Sequence, residues 1–389
     1  MSLPESSPLS SQRYYLPQLD GLRFFAFLLV FIHHFWKPQD HFGNIPWIVL
    51  PLQKVQEFGW MGVDLFLVLS AFLITNLLLL ERERYGRISL KDFYIRRTLR
   101  IWPLYYFMVL IGFVVSPLLG GDMRDPETLI LIKQHLAPYL IFLGNVSAGF
   151  FGYADSRYLS HLWTISLEEQ FYVLWPLLLC MLVAKRRLLY VSLAALLGLA
   201  IYLRAYGVLV DAAHPLIWTN LLTRLDPLVL GCLLAIYRMK HVSDGRFDYL
   251  KSLAGFVLIG MVTFSPSVEQ QTWHILWQYF AVALGFCLIV DSAISKKIYL
   301  QDIILSNIVL VWLGKLCYGL YVYHLFGINI GKKISRSFNF ENYAALEYLV
   351  AFGLSLLVTI LASWISYQLI EKQFLKLKNR YTRIKSRPE

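Results

Sequence analysis

Charge is scarce in this 389-residue chain: Asp, Glu, Lys and Arg together make up 16% of it. An ordinary soluble domain is about 25% charged. Too few polar groups remain to coat a water-exposed fold of this size, which excludes a soluble globular enzyme and a disordered chain. Cysteine is also sparse. Cys180, Cys232, Cys287 and Cys317 each sit in an apolar stretch without CxxC or CxxH spacing. That excludes a disulfide scaffold and predicts no metal site. The opening residues, Met1 to Gln18, contain no early apolar run. No cleavable secretion signal is therefore expected, and the first membrane helix serves as its own signal. No repeat, low-complexity tract or added soluble domain is visible.

What the chain has in abundance is apolar residues, 57% of the total, with a mean hydropathy of +0.54. This composition predicts an all-α, polytopic membrane helix bundle. The net charge of +11 does not indicate a nucleic-acid partner, because the basic residues fall in short runs between apolar stretches. Ten spans are expected, over about 19–36, 60–80, 101–119, 161–184, 188–206, 219–238, 251–266, 273–294, 306–330 and 344–370. Residues 136–151 read as a re-entrant or interfacial segment. Segment 81–100 holds seven Lys and Arg and belongs on the cytoplasmic side. Both termini then lie in the cytoplasm. The expected organisation is a cytoplasmic tail (1–18), a transmembrane domain (19–371) and a basic cytoplasmic tail (372–389).

Ionisable residues inside spans are functional candidates by default, because charge in hydrocarbon is costly. Arg23 and His34 are eleven residues apart, three helical turns plus roughly 20°, so they share a face and are separated by about 16 Å along the axis. His33 points elsewhere. Glu168 and Glu169 are adjacent carboxylates in an apolar helix and cannot both stay ionised without partners. A carboxylate beside an imidazole would orient it as a general base, and Glu169 is the expected partner of His34. Topology puts His34, Asp64, Glu168, Glu169, Arg224, Asp226 and His324 at similar outer depths, with Ser70 and Tyr318 nearer mid-membrane. Arg23, Arg96, Arg97 and Arg100 gather at the cytoplasmic end, where they can clamp an anion.

Several ordered stretches resemble the acyltransferase-3 family of membrane acyltransferases, which includes bacterial O-acetylases of surface polysaccharides. They are LDGLR with the Arg23–His34 spacing, GVDLFLVLSAFLI (62–74), FYIRRTLRIWPLYY (93–106), HLWTISLEEQFYVLWP (161–176), RLDPLVLG (224–231) and YGLYVYHLF (318–326). Ala71, Cys317, Phe326 and Gln373 depart from the usual pattern. The resemblance implies transfer of an acyl group, typically acetyl, from acetyl-CoA or another acyl-CoA to a hydroxyl. The acceptor would be a saccharide, a lipid-linked glycan or a small molecule. It implies an integral protein of the bacterial cytoplasmic membrane, in contact with lipid, without a metal and without a fused extracytoplasmic domain. In this scheme the inner arginines hold the CoA phosphates. His34 is base or nucleophile, oriented by Glu168 or Glu169. Asp64, Ser70, Arg224, Asp226, Tyr318 and His324 surround the acceptor, and Arg224 stabilises the oxyanion. A transporter or flippase of an anionic solute is the alternative that buried charges allow, but no inverted repeat supports it.

Overall fold

The computed structural model describes residues 15–384 apart from 43–45, 121–124, 155, 157, 242, 339, 341 and 342. Residues 1–14 of the expected N-terminal tail and 385–389 of the basic tail lie outside the described residues. Among the described residues all regular structure is helical. The chain runs through α1 (Pro17–His33), the short α2 (Gln39–Phe42), α3 (Pro46–Phe58), α4 (Met61–Tyr85) and α5 (Leu90–Leu110). A π-turn (Ile111–Val115) carries α5 into α6 (Ser116–Gly120), followed by α7 (Pro126–Leu140), α8 (Gly144–Phe151), α9 (Trp163–Leu182) and α10 (Arg186–Leu209). Next come α11 (Leu216–Thr219), α12 (Leu225–Arg238), α13 (Asp248–Val262), α14 (Ile275–Ser295) and α15 (Tyr299–Leu305). The remainder is α16 (Ile308–Lys315), α17 (Cys317–Ser335), α18 (Ala344–Ser366) and, after a second π-turn, α19 (Lys372–Asn379).

Among the described residues six helical stretches are long and apolar enough to cross a membrane: Met61–Tyr85, Leu90–Leu118, Trp163–Leu182, Arg186–Leu209, Ile275–Ser295 and Ala344–Asn379. The pair α16–α17, bent by 79°, makes a seventh if it is one span. The other three expected spans fall on α1, α12 and α13, with 17, 14 and 15 residues. Each is shorter than the roughly 20 residues that cross a bilayer. The apolar runs are longer than their helices because local caps interrupt them. Asn220 caps a 3-10 turn (Leu221–Thr223) ahead of α12. Asn307 accepts from the Val309 and Leu310 amides and starts α16. Residues 136–151 form the end of α7, a turn at 141–143, and α8. The Gln170 amide donates to the Phe142 carbonyl at 2.9 Å and anchors that turn.

α1 occupies the centre, packed against α3, α4, α14, α15, α16 and α17. Two glycines permit this. A Cβ on Gly62 would stand 2.3 Å from the Ala26 carbonyl oxygen, and one on Gly314 would stand 1.9 Å from that of Asp20. Backbone thus meets backbone on two sides of α1, the close approach that small residues allow between membrane helices.

Charges inside the bundle pair across helices. Arg204 on α10 is fully buried. Its guanidinium donates to Asp226 on α12 at 2.5 and 3.1 Å and to the Thr223 and Leu276 carbonyls. Arg224 donates to Asp64 on α4 at 2.8 Å. Its guanidinium lies 4.1 Å from the Trp218 ring and 4.4 Å from that of Tyr279. Removing one partner strands the other charge, at a cost of about 3–5 kcal/mol, whereas replacing both by apolar groups costs far less. Asp226→Ala should therefore sharply lower the thermal unfolding temperature in detergent. The double variant Arg204→Met/Asp226→Leu should recover most of the loss. Equal stability of the single and double variants would show that the pair does not hold α10 to α12.

Candidate active site

The site begins with α5. Ser89 caps this helix by accepting from the Asp92 amide, which fixes the phase of Arg96, Arg97 and Arg100. They line a cavity of about 120 Å³ together with Arg23 and Ser70. Their circumstances differ. Arg23 pairs with Asp20 at 2.7 Å. Arg96 donates to the Tyr381 carbonyl at 2.7 Å and pairs with Glu81 at 3.4 Å. Among the described residues Arg97 and Arg100 form no salt bridge, and the buried Nε of Arg97 has no hydrogen-bond acceptor. The Arg97 guanidinium instead lies over the rings of Phe93 and Tyr172, 5.4 Å from each. Guanidinium groups in excess of carboxylates around a polar cavity are able to hold an anion.

Arg23, Ser70, Arg97 and Arg100 also line a second cavity of about 120 Å³, which contains Glu168, Tyr172 and Tyr318. The Tyr172 hydroxyl donates to Glu168 at 2.5 Å and hydrogen-bonds Ser70 at 2.5 Å. The chain Ser70–Tyr172–Glu168 thus ties α4 to α9. Tyr318 donates to the Ile101 carbonyl at 2.7 Å just beyond the α16–α17 bend. Glu169 faces the other way. It accepts from the Trp102 indole at 3.0 Å, and its second oxygen is buried without a partner.

The second cavity adjoins a third, of about 300 Å³, through the shared residues Val63, Thr164 and Tyr321. His33, His34 and His161 line it, along with Trp60, Trp163 and Trp218. His34 ends α1, and its Nδ1 lies 2.9 Å from the Val30 carbonyl. A carbonyl only accepts, so Nδ1 carries the proton and Nε2 presents a lone pair. His33 is held apart by the Gln56 carbonyl at 2.8 Å. His324 is fully buried, 4.9 Å from His34 and 4.8 Å from His161 between ring centroids. Its Nδ1 donates to the Tyr321 carbonyl at 2.5 Å.

The expected outer chamber is thereby divided. His34 and His324 meet. Glu168 sits one cavity inward, beside Arg97 and Arg100. Glu169 does not reach His34: it points to α5, and a backbone carbonyl orients the imidazole in place of a carboxylate. Asp64, Arg224 and Asp226 line none of these three cavities. They belong to the buried ion pairs Arg224–Asp64 and Arg204–Asp226, and Trp60 and Trp218, which line the third cavity, lie against the Arg224 guanidinium. Arg224 is therefore not placed to stabilise an oxyanion beside His34.

Sequence reasoning missed Tyr172, His161 and Arg204. Tyr172 follows Glu168 by four residues, the spacing at which helical side chains meet. Arg204 was visible as a lone arginine in an apolar span. His161 lies at the N-terminal edge of the span that carries the carboxylates and had no comparable signal. The described residues contain no cluster that could hold a metal ion.

The chain is 28% identical over 384 residues to SACOL0978 of Staphylococcus aureus (strain COL), which is named only provisionally as an O-acetyltransferase; the alignment covers 93% of this chain and 58% of that protein. It is 27% identical over 326 residues to the O-acetyltransferase OatA of S. aureus (strain NCTC 8325), covering 80% of this chain and 50% of OatA. The chain thus spans between half and three-fifths of the length of these relatives. No solved structure matches. The family model described as an acyltransferase domain matches residues 16–368, nearly the whole chain, and the protein therefore belongs to the acyltransferase-3 family.

Proposed function

We propose that this protein is a membrane O-acyltransferase that moves an acyl group, in the first instance acetyl, from an acyl-CoA to a hydroxyl on a saccharide or other small acceptor. One observation carries the reading. Three adjoining cavities connect the arginines at one end of the bundle to His34 at the other, with Glu168 between them. The arginine cavity suits the phosphates of the donor. A pantetheine arm is extended and mostly uncharged, and the Glu168–Tyr172–Tyr318 cavity is the route it would follow. The Thr164 and Tyr321 hydroxyls, 2.6 Å apart, mark the junction where the thioester would meet the third cavity. That cavity, with three tryptophans on its wall, suits a sugar ring.

In the reaction, His34 Nε2 takes the proton of the acceptor hydroxyl as its oxygen attacks the thioester carbonyl. The carbon–sulfur bond then breaks, and the proton passes from Nε2 to the departing thiolate. The Val30 carbonyl supports this role by holding Nδ1–H, so the imidazole keeps one tautomer throughout. The names of the relatives support O-acetyl transfer. Expected surroundings are a bacterial cytoplasmic membrane and a glycan or lipid-linked glycan acceptor. The same row of cavities would suit passage of an anionic solute. Release of CoA in detergent, with no membrane gradient present, separates the two readings in favour of the enzyme.

Two variants test the scheme. His34→Ala should cut steady-state transfer by on the order of 10²–10⁴, the usual range for general acid–base assistance, while the protein stays folded. His33→Ala should be much milder, because its Nδ1 is committed to Gln56. Near-normal turnover of purified His34→Ala protein would sink the mechanism.

Arg97→Ala or Arg100→Ala should chiefly weaken donor binding, by about 1.5–3 kcal/mol for each charge-assisted hydrogen bond lost. A titration of CoA by calorimetry measures this directly. Unchanged affinity in both variants would mean that these arginines only set the topology.

A further inference from the structure

The family match ends at residue 368, yet the chain beyond it returns to the arginine cavity. After the π-turn Tyr367–Glu371, α19 leads into a described segment that reaches Ile384. Lys378, Thr382 and Ile384 from this segment line the same cavity as Arg23, Arg97 and Arg100. Ile384 is buried, an unusual state for an apolar residue in a basic tail. Four contacts hold the segment across the cavity. The Tyr381 carbonyl accepts from Arg96 at 2.7 Å, and the Arg383 carbonyl accepts from the Tyr85 hydroxyl at 3.3 Å. The Arg383 guanidinium donates to Asp92 at 2.9 Å and lies 3.6 Å from Glu81.

We propose that residues 378–384 form a strap that completes the donor cavity, closes over it, and adds Lys378 to the anion site. The inference rests on the reading of that cavity as the seat of a phosphate-bearing nucleotide thioester. Three observations support it. First, the cavity has about 120 Å³ of internal space, less than the roughly 300–1,000 Å³ of sites that hold sizeable ligands. A nucleotide gains room there if a wall moves, and the strap is the wall held by partly exposed contacts. Exposed ion pairs are weak and screened by salt, so these tethers open easily. The opposite wall, α1, is locked by backbone contact. Second, Arg96 lines the cavity while its guanidinium is spent on Tyr381 and Glu81. Lifting the strap frees one of those donors for an anion. Third, among the described residues the cavity gathers Arg23, Arg96, Arg97, Arg100 and Lys378 against two carboxylates, Asp20 and Glu81. That balance suits a ligand with several negative charges.

The test uses the full-length protein in detergent, with a reporter cysteine at Leu77, which lines the cavity. Its rate of modification by neutral and anionic methanethiosulfonate reagents is compared with a parent lacking the reporter. Asp92→Asn weakens the Arg383–Asp92 tether, and Arg383→Ala removes it together with the Glu81 contact, neither replacing a residue of the lining. Each should raise the labelling rate about fivefold or more, the scale of one or two weak exposed contacts. Lys378→Ala should leave the neutral reagent unaffected and slow the anionic one several-fold. Coenzyme A should protect the reporter in the tethered protein, and protection should weaken in Lys378→Ala. Unchanged labelling in both tether variants would overturn the strap. An unchanged anionic-to-neutral ratio in Lys378→Ala would remove Lys378 from the site. Faster labelling in the tether variants with no protection by coenzyme A would uphold the strap and overturn the donor reading on which its ligand depends.

Discussion

A charge carried into a bundle of this apolarity must find either a partner or a wet cavity, and that constraint sorts the protein's ionisable residues into two groups. Arg204 with Asp226 and Arg224 with Asp64 found partners. So did Asp291, which is paired with Arg238 and also with Lys251 at 2.8 Å. These pairs tie α4, α10, α12, α13 and α14 into one scaffold. Arg97, Arg100, Glu168 and His34 line cavities instead. Arg23 and Arg96 do both, each pairing with a carboxylate while it lines the arginine cavity.

The second group is aligned by α1. One unbroken helix carries Arg23 near its start and His34 at its end, and its central position brings both onto the cavity row. The glycines facing it let α4 and α16 touch its backbone, so the ends of the row are held at a set distance. The α16–α17 bend lies beside the same contact. Gly314 is pressed on Asp20, and just beyond it the chain turns at Leu316, which places Tyr318 and Tyr321 along the second cavity and His324 against His34. Two modest features, a small residue and a bend, therefore decide which side chains meet His34.

Each imidazole around His34 has one ring nitrogen on a backbone carbonyl: Val30 for His34, Tyr321 for His324, Val322 for His161; among the described residues the second nitrogens of His161 and His324 are buried without a partner. Carbonyls carry no net charge, so they choose a tautomer without adding a buried anion beside the imidazole. The carboxylate Glu168 lies one cavity away, under the influence of arginines, where its charge is better compensated.

The linear sequence by itself determined the helical class, the membrane setting, the pairing of Arg23 and His34 on one face, and the candidacy of Glu168, Arg97 and Arg100. These depend on composition, on helical period and on the cost of charge in hydrocarbon, all of which are local. Family resemblance was legible in the same way, through short ordered motifs. Only the tertiary structure decided that Glu169 turns to Trp102, that Arg224 and Asp226 serve the scaffold, that Arg204 is one of the most buried side chains, and that the basic tail folds back over the arginines. It also divided the apolar run 306–330 at Leu316 and left α12 and α13 short of a full span. The physical reason is common to all of these. Helical period sets which face a residue occupies, but its neighbour comes from another helix, and the choice between ion pair, cavity and backbone carbonyl is made by packing.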